Sequence, residues 1–264
     1  MSASQTVAVA QTAPRVGMVD ENVAAAEDRI AGLAGRADLV VFPELFTTGY
    51  RRGGMDHRAL AEPVPEGASV RRLARAARDA RIAVAGTLLE REGGHVYDTA
   101  ILLGPDGSLV ARYRKTHLYP AELPYFSPGD ELVVVPLRSS LSVGLAICFE
   151  HAFPEIFTAL ALRGAGLILI PSAVPRGFEY LLDLRTRARA QDNQLYVAAA
   201  NLAGFDGETQ WCGRSTIVDP RGEAIVQARE EPETEILATI DPRVIELERR
   251  QEPALEHRRP ELYR

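Results

Sequence analysis

Three residues with reactive side chains each stand at the end of a predicted β-strand. Cys148 follows the apolar run 141–147, Glu44 follows the run 38–42, and Lys115 comes just after a third such run. A thiolate is the nucleophile of cysteine enzymes, a carboxylate in an apolar surrounding is a usable general base, and an ammonium stabilises a developing oxyanion. Together the three residue types predict covalent catalysis at an electrophilic carbon.

Each of these residues also has an ordinary structural explanation. A free cysteine is usually a small buried hydrophobe, so Cys148 taken alone favours packing over catalysis. Glu44 alone suits a loop charge. Lys115 lies beside Arg112 and Arg114, as in a solvated charged face. Hydrophobic periodicity places the residues at strand ends but does not show that they meet.

The elements that must position these residues alternate along the chain as short strands and helices. No Ser/Gly-rich linker, composition break or internal repeat interrupts the alternation, which predicts a single domain. The predicted strands cover residues 6–11, 38–42, 82–89, 96–103, 109–113, 132–135, 141–147, 167–170, 195–200, 215–218, 224–227 and 236–240. The predicted helices cover 68–80, 154–163 and 178–192, together with a helix capped by Asp20 whose apolar residues are Val23, Ala26, Ile30 and Leu33.

These elements predict a layered α/β architecture. Two sheets packed on each other and covered by helices would bury all the apolar faces. Residues 243–264 are charged and hold little apolar material, so we expect them to form a C-terminal arm outside the core.

Composition sets the class of protein. The 264 residues are 46% hydrophobic and 25% charged, which excludes disorder and supports a large core. A net charge of -6 gives no indication of a basic surface that would bind nucleic acid. No apolar run is long enough to span a bilayer, and the segment 1–6 lacks the features of a signal peptide, so we expect a cytoplasmic protein. Two distant cysteines form neither a metal knuckle nor a disulfide framework, and we expect no metal or cofactor.

The sequence blocks around the three reactive residues resemble the signature blocks of the nitrilase (carbon–nitrogen hydrolase) superfamily. Those blocks are FPELF at 42–46 with Gly49-Tyr50, YRKTHL at 113–118, and AICFE at 146–150 with Pro154-Glu155. Further similar blocks are GLILIPSA at 166–173, RARAQDN at 187–193 and GRSTIVDPRG at 213–222. The resemblance extends over about residues 7–263, and three blocks in the family's order are far more specific than one.

The resemblance implies a fold and a set of catalytic roles. The fold is a four-layer αββα sandwich, with 1–264 as one carbon–nitrogen hydrolase domain. Cys148 becomes the nucleophile, Glu44 the general base and Lys115 the residue that stabilises the tetrahedral intermediate. Glu122, seven residues after the lysine, corresponds to a second glutamate of the family that orients groups or handles protons. The backbone N–H of Phe149 becomes the second oxyanion donor.

We predict Phe149, His151 and Ala173 as substrate-binding residues. Many amidases of the family have Tyr-Asp where this chain has Phe149-Glu150, a difference that affects substrate preference and not the chemistry. His151 lies three residues after Cys148, too close in sequence to be aimed at the thiol as a base. It is better explained as part of the pocket wall.

The remaining polar residues have ordinary explanations. Cys212 has no acid or base nearby in the sequence and is interpreted as structural. Three arginines on one predicted helix suggest either an anion site or a solvated or interface face, and the second is the usual case; they are Arg185, Arg187 and Arg189.

The pocket is expected to favour neutral substrates. Family members that act on carboxylated amides tend to carry an arginine three or four residues after the nucleophile, where this chain has His151 and Ala152. A buried carboxylate without a partner is costly. Arg176, in the loop after the block 166–173, is the residue that would overturn this expectation by reaching in from another segment.

The function predicted from the resemblance is an amidase that releases ammonia from a small linear amide through a thioester. A nitrilase that forms a thioimidate and an N-carbamoyl amine or amino acid amidohydrolase use the same residues and stay open. The intact reactive residues disfavour an inactive binding or scaffolding protein of this fold. The chain length disfavours a domain that supplies ammonia to a synthetase. We expect a small-molecule substrate, no nucleic-acid or membrane partner, and a homodimer or larger assembly.

Overall fold

Apolar side chains point to both faces of the central strands, and this dictates a fold with helices outside and sheets inside. In the first strand, Gln5–Gln11, Val7 and Val9 pack between the sheets, whereas Ala8 and Ala10 face helices. The computed structural model describes residues 4–51, 53–138 and 141–262. The start of the segment tested for a signal peptide and the last two residues of the predicted arm lie outside these ranges.

The strands are numbered in chain order. They are β1 Gln5–Gln11, β2 Leu39–Val41, β3 Ala83–Glu92, β4 His95–Leu103, β5 Leu109–Arg114, β6 Val134–Arg138, β7 Leu141–Leu145, β8 Leu167–Ser172, β9 Tyr196–Asn201, β10 Ala203–Phe205, β11 Gln210–Cys212, β12 Thr216–Val218, β13 Ala224–Gln227 and β14 Thr234–Ile240. The helices are α1 Val19–Gly32, α2 His57–Leu60, α3 Ala68–Ala80, α4 Pro154–Leu162, α5 Glu179–Asn193 and α6 Pro242–Gln251.

Two six-stranded sheets face each other across the main core. Sheet A has the order β14-β1-β2-β3-β4-β5, and sheet B has the order β13-β12-β9-β8-β7-β6. The pairs β1–β2 and β2–β3 are parallel in sheet A, as are β7–β8 and β8–β9 in sheet B. The short ribbon β10–β11 stands apart and was not predicted, because three-residue strands give no periodic signal.

Helices cover the outer face of each sheet. α1 and α3 bury Ile30 and Leu73 against sheet A, and α4 and α5 bury Phe157 and Leu182 against sheet B. The layers therefore run helix, sheet, sheet, helix, and the predicted single-domain αββα sandwich is confirmed.

Two local predictions were wrong. α1 begins at Val19 after Met18, and Asp20 does not cap it; Asp20 lies inside the first turn, where its charge favours the helix dipole. The first part of the predicted arm is the helix α6, which begins with Asp241 as its cap. Ile245 of this helix is buried in the core between the sheets and Val244 packs against that core, because the few apolar residues of this mainly charged helix are enough to dock it.

The strand directions bring four segments to one edge of the sandwich. β5 pairs antiparallel with β4, and β4 with β3, so β5 points the same way as β2 and β3. Residues that follow β2, β5, β7 and β8 therefore emerge where ligands bind in sheets of this kind, outside the carboxyl ends of the strands.

Candidate active site

Cys148 occupies a strained turn between β7 and α4. It begins the short 3-10 turn Cys148–Ala152 with φ of 42°, in the left-handed region that only glycine adopts freely. Such a backbone costs roughly 1–3 kcal/mol and persists only where the surroundings fix it. Burial, followed by the charge of Glu44, raises the pKa of the thiol well above its ordinary value. The thiol is therefore protonated at neutral pH and requires a base.

Glu44 and Lys115 form a buried ion pair beside the thiol. Lys115 Nζ donates to Glu44 Oε1 at 2.6 Å, and both side chains are fully buried. Burial raises the pKa of Glu44, although the ammonium opposes the shift. Burial alone would lower the pKa of Lys115, but the carboxylates around it raise it well above the ordinary value. The lysine is therefore a permanent cation, and Glu44 is a carboxylate that readily takes a proton.

Glu122 holds the ammonium from a second side. Its Oε1 accepts from Lys115 Nζ at 2.8 Å and from the Tyr50 hydroxyl at 2.6 Å, and its Oε2 accepts from the Tyr119 backbone N–H at 2.7 Å. An ammonium has three N–H groups. Two of them bind the glutamates, which leaves the third available to an oxyanion.

Asp98 is a fourth ionisable residue in this cluster and was missed from the sequence. It is fully buried on β4, with Oδ2 3.8 Å from Lys115 Nζ and its carboxyl group facing that of Glu44. Burial, followed by the charge of Glu44, raises its pKa well above the ordinary value, so Asp98 is neutral while Glu44 is ionised. An acid inside the apolar strand 96–103 was the available signal.

Glu150 ties the turn of the cysteine to the segment that carries the lysine. Its Oε1 accepts from the Tyr113 hydroxyl at 2.7 Å and from Thr116 Oγ1 at 2.6 Å, and its Oε2 accepts from the Ile147 N–H at 2.7 Å. Burial acts to raise its pKa, but hydrogen bonds lower the pKa below the ordinary value, and the bond with His117 contributes most to that lowering. Glu150 is thus a charged residue that links these two segments. From the sequence, the difference at Phe149-Glu150 was expected to affect substrate preference instead.

The cluster adjoins a cavity of about 310 Å³ that contains Cys148. The three predicted substrate-binding residues, Phe149, His151 and Ala173, all line it. The rest of its wall is mainly apolar and aromatic and is formed by Tyr50, Tyr119, Val174, Pro175, Phe178, Leu181 and Trp211, with Glu122, Thr209 and Arg185 as polar members.

Two arginines are placed differently from the expectation. Arg176 does not line the cavity; its side chain is 63% exposed and lies 3.8 Å from Glu230. Arg185 lines the cavity instead, although a solvated or interface face was the favoured interpretation. The sequence did not show which side of α5 faces the site, because that depends on how the helix packs against sheet B.

The carbon–nitrogen hydrolase family model matches residues 6–250. The chain belongs to the carbon–nitrogen hydrolase family. It is 34% identical over 223 residues to an (R)-stereoselective amidase of Pseudomonas sp, covering 84% of this chain and 80% of that protein. It is 35% identical over 244 residues to the omega-amidase NIT2 of Mus musculus, covering 86% and 85%.

Solved structures agree with this assignment. The crystal structure of an amidase from Nesterenkonia sp. superposes with a TM-score of 0.87 at 28% identity, covering 100% of this chain and 96% of that one. The nitrilase-superfamily resemblance is therefore confirmed, and this carbon–nitrogen hydrolase is of the amidase type. Along the described ranges, no helix has both the length and the apolar character to cross a membrane.

The carboxylates of this hydrolase also have the residue types of a cation site. One oxygen from each of Glu44, Asp98 and Glu122 lies within 4.8 Å of the others. The ammonium of Lys115 is already bonded to two of these carboxylates, so the protein itself supplies the cation of the cluster.

Cys212 lies apart from this site. It is buried on β11 in the core, where its Sγ accepts from Asn201 Nδ2 at 3.1 Å and burial raises its pKa to about 12. Among the described residues, the hydrogen-bond partners of its Sγ are Asn201 and the Gly213 carbonyl.

Proposed function

We propose that this protein hydrolyses a small linear amide to a carboxylic acid and ammonia through a thioester on Cys148. The observation that carries the proposal is the position of the Cys148 thiol, which opens into the cavity beside the buried cluster of Glu44, Lys115 and Glu122. The cavity volume suits a small substrate, and the amidase names of the relatives support the same class of reaction.

Glu44 starts the first half of the reaction. As the thiol attacks the amide carbon, Glu44 takes its proton and a C–S bond forms. The oxygen of the former carbonyl then carries a negative charge, which the third N–H of Lys115 and the backbone N–H of Phe149 stabilise. Glu44 passes the proton to the amide nitrogen, the C–N bond breaks, and ammonia leaves.

The second half uses the same residues with water as the nucleophile. Glu44 takes a proton from water, the hydroxide oxygen bonds to the acyl carbon, and the C–S bond breaks. The sulfur then recovers the proton from Glu44 and the carboxylic acid is released. The covalent route replaces one difficult displacement with two easier ones.

Glu122 is assigned to positioning in this scheme. Its oxygens accept hydrogen bonds from Tyr50, Lys115 and Tyr119, and these contacts hold the ammonium toward the oxyanion. In a solved structure of a glutamate-to-glutamine mutant of the amidase from Nesterenkonia sp. AN1, the acetamide moiety of fluoroacetamide is covalently added at the active site cysteine. That chemistry supports the role given to Cys148.

The decisive test combines ammonia release with intact-protein mass spectrometry. Aliphatic amides are expected to release ammonia and to leave an acyl adduct on Cys148. Cys148→Ala should abolish both, whereas Cys212→Ala should keep the adduct. A modified Cys212 with Cys148 untouched would refute the assignment. Turnover of nitriles but not of amides would identify a nitrilase with a thioimidate intermediate.

Assembly and location are further parts of the proposal. Apolar side chains are exposed beside the cavity at Phe178, Tyr180 and Leu184, and Leu162 is exposed at the end of α4. A second copy of the chain covering this face would make the protein a homodimer or larger, which light scattering of the purified protein would measure. A cytoplasmic location suits the two free thiols, because the nucleophile must stay reduced.

A further inference from the structure

Arg185 differs in charge from the rest of the substrate cavity. Among the described residues that line the cavity, it is the only arginine or lysine, and its side chain is half-buried on α5. Its neighbours in the wall are mainly aromatic and aliphatic, including Phe178 and Leu181. A positive charge beside an apolar wall is poorly solvated, so it gains from an anionic partner.

No carboxylate of the described residues serves as that partner. Arg189, one turn along α5, has Asp192 at 3.3 Å, and Arg214 has Asp183 at 2.6 Å. Within the described part of the chain, Arg185 has no acidic residue at ion-pair distance. Two carboxylates of α5, Asp183 and Asp192, are therefore bonded to other arginines.

The contact that Arg185 does make fixes its position without neutralising it. Its Nη1 donates to His151 Nδ1 at 3.3 Å. Burial, followed by the charges of Arg185 and Arg189, lowers the pKa of His151 to about 3, so the imidazole is neutral. A guanidinium has five N–H groups, and this contact uses one of them.

His151 contributes a second unused donor. Because Nδ1 accepts from Arg185, the proton of the neutral ring is on Nε2, and that buried nitrogen has no partner among the described residues. The backbone carbonyl of His151 accepts from Arg189 Nε at 3.1 Å, which fixes this residue to α5. The cavity wall thus holds an uncompensated guanidinium together with a neutral imidazole whose N–H is unpaired.

The acidic residue of the cavity does not compensate this charge. Both oxygens of Glu122 are occupied, and the ammonium of Lys115 lies between Glu122 and Glu44. The negative charge of the cavity therefore belongs to the catalytic cluster, and the positive charge of Arg185 remains for the ligand.

We propose that Arg185 binds a carboxylate of the substrate, so that the preferred substrate is a monoamide of a small dicarboxylic acid. The inference rests on the proposed amidase function and specifies the substrate class. It replaces the expectation of a neutral pocket, which considered only the residues just after the nucleophile and Arg176. Guanidinium and carboxylate match in geometry and form charge-assisted hydrogen bonds.

The test compares pairs of amides of equal length. The monoamides of succinate and glutarate are each assayed beside the amide in which a methyl ketone replaces the carboxylate. The wild type is expected to favour the acid in kcat/KM by about tenfold or more, as one charge-assisted contact allows. Equal kcat/KM for the two members of each pair would overturn the proposal.

Variants of α5 assign the preference to one residue. Arg185→Leu should lower kcat/KM for the acid by about 10- to 100-fold and leave the ketone amide within a few-fold. Arg185→Lys should retain part of the preference, because it keeps the charge and loses the planar fork. Arg187→Gln removes an exposed charge from the same helix outside the cavity and should not change the preference. A similar loss for both amides in Arg185→Leu would also overturn the proposal.

A binding measurement separates this proposal from the amidase assignment. In Cys148→Ala, calorimetry should show that the acid amide binds about tenfold or more tightly than its ketone analogue, and that adding Arg185→Leu removes the difference. Absence of any acyl adduct on wild-type Cys148 would refute the proposed function, and this binding difference would still decide the role of Arg185. Equal affinities would refute the role of Arg185 and leave the amidase function standing.

Discussion

The residues at the edge of sheet A and those at the edge of sheet B differ in how their charges are compensated. Sheet A supplies Glu44, Asp98 and Lys115, a closed cluster in which the ammonium is bonded by carboxylates on two sides. Sheet B supplies Cys148 and, through α5, Arg185, which no carboxylate of the described chain neutralises.

The difference separates two tasks. A cluster whose charged groups are bonded to one another holds a fixed arrangement of proton acceptor and oxyanion donor before any substrate arrives, which is the arrangement that electrostatic catalysis requires. A wall with an unpaired charge gains from a ligand of opposite charge. In the proposed mechanism, sheet A thus carries the acid–base groups, and sheet B carries the nucleophile and the residue proposed to recognise the substrate.

The largest expected effect comes from removing the proposed base on sheet A. Glu44→Gln keeps the volume and a hydrogen-bonding group but cannot take the thiol proton, so kcat should fall about 10²- to 10⁴-fold. The wild-type pH profile of kcat/KM should have an acid limb above the ordinary glutamate pKa, because burial raises the pKa of Glu44. Activity is then lost as pH falls through that value. A variant with near wild-type kcat would show that another group is the base.

Removing the cation of the cluster should affect both rate and stability. Lys115→Met loses an oxyanion donor, which costs about 10²- to 10³-fold in kcat. It also leaves Glu44 and Glu122 buried without their cation, a change that destabilises a fold by about 3–5 kcal/mol unless the carboxyls take up protons. Kinetics and urea unfolding of the same preparation measure the two effects. Wild-type stability at neutral pH would contradict the closed-cluster description.

The connection between the two sheets is tested at Glu150. In Glu150→Gln, an amide N–H group faces hydrogen-bond donors that the carboxylate oxygens accepted from. The substitution should lower the free energy of unfolding by about 1–3 kcal/mol. The pKa of Glu150 lies below its ordinary value, so its contribution is present above that ordinary pKa and is lost as pH falls through the lowered one. Urea unfolding at several pH values should show that the free energy of unfolding falls less steeply toward acid pH in the variant than in the wild type. The same acid slope in both proteins would exclude a stabilising charge at Glu150.

The smallest effect is expected at Asp98. Asp98→Asn replaces a carboxyl that is neutral while Glu44 is ionised with a neutral side chain of the same shape, so kcat/KM should change only a few-fold. The pH profile should keep its acid limb, since Glu44 remains. A loss as large as that of Glu44→Gln would identify Asp98 as the base and reverse the roles of the two carboxyls.

Much of the frame of the site followed from the sequence. Strand ends are visible as apolar runs that stop at a polar residue, and this located Glu44, Lys115 and Cys148 one at a time. The family resemblance then gave the αββα sandwich, which packing of two-faced apolar strands also requires. The boundaries of α3 and β13 matched the prediction, and for α3 the reason is that its buried residues Val70, Leu73 and Ala77 recur at helical spacing.

Other residues had no local signal that revealed their role. Glu150 is bonded to Thr116, and Asp98 lies against Lys115; each contact joins segments that are distant in the sequence. The ribbon β10–β11 and the docking of Ile245 also depend on long-range contacts. Burial and proximity of this kind arise only when the chain is packed.

The sequence by itself determined the reactive side chains, the order of the strands that carry them and the class of reaction. Tertiary structure decided which charges are paired. Lys115 becomes a permanent cation because buried carboxylates surround it, and Arg185 remains uncompensated because its neighbours use the nearby acids. Both outcomes depend on distances of a few ångströms between segments far apart in the chain, and electrostatic energy in a poorly solvated site changes steeply over such distances.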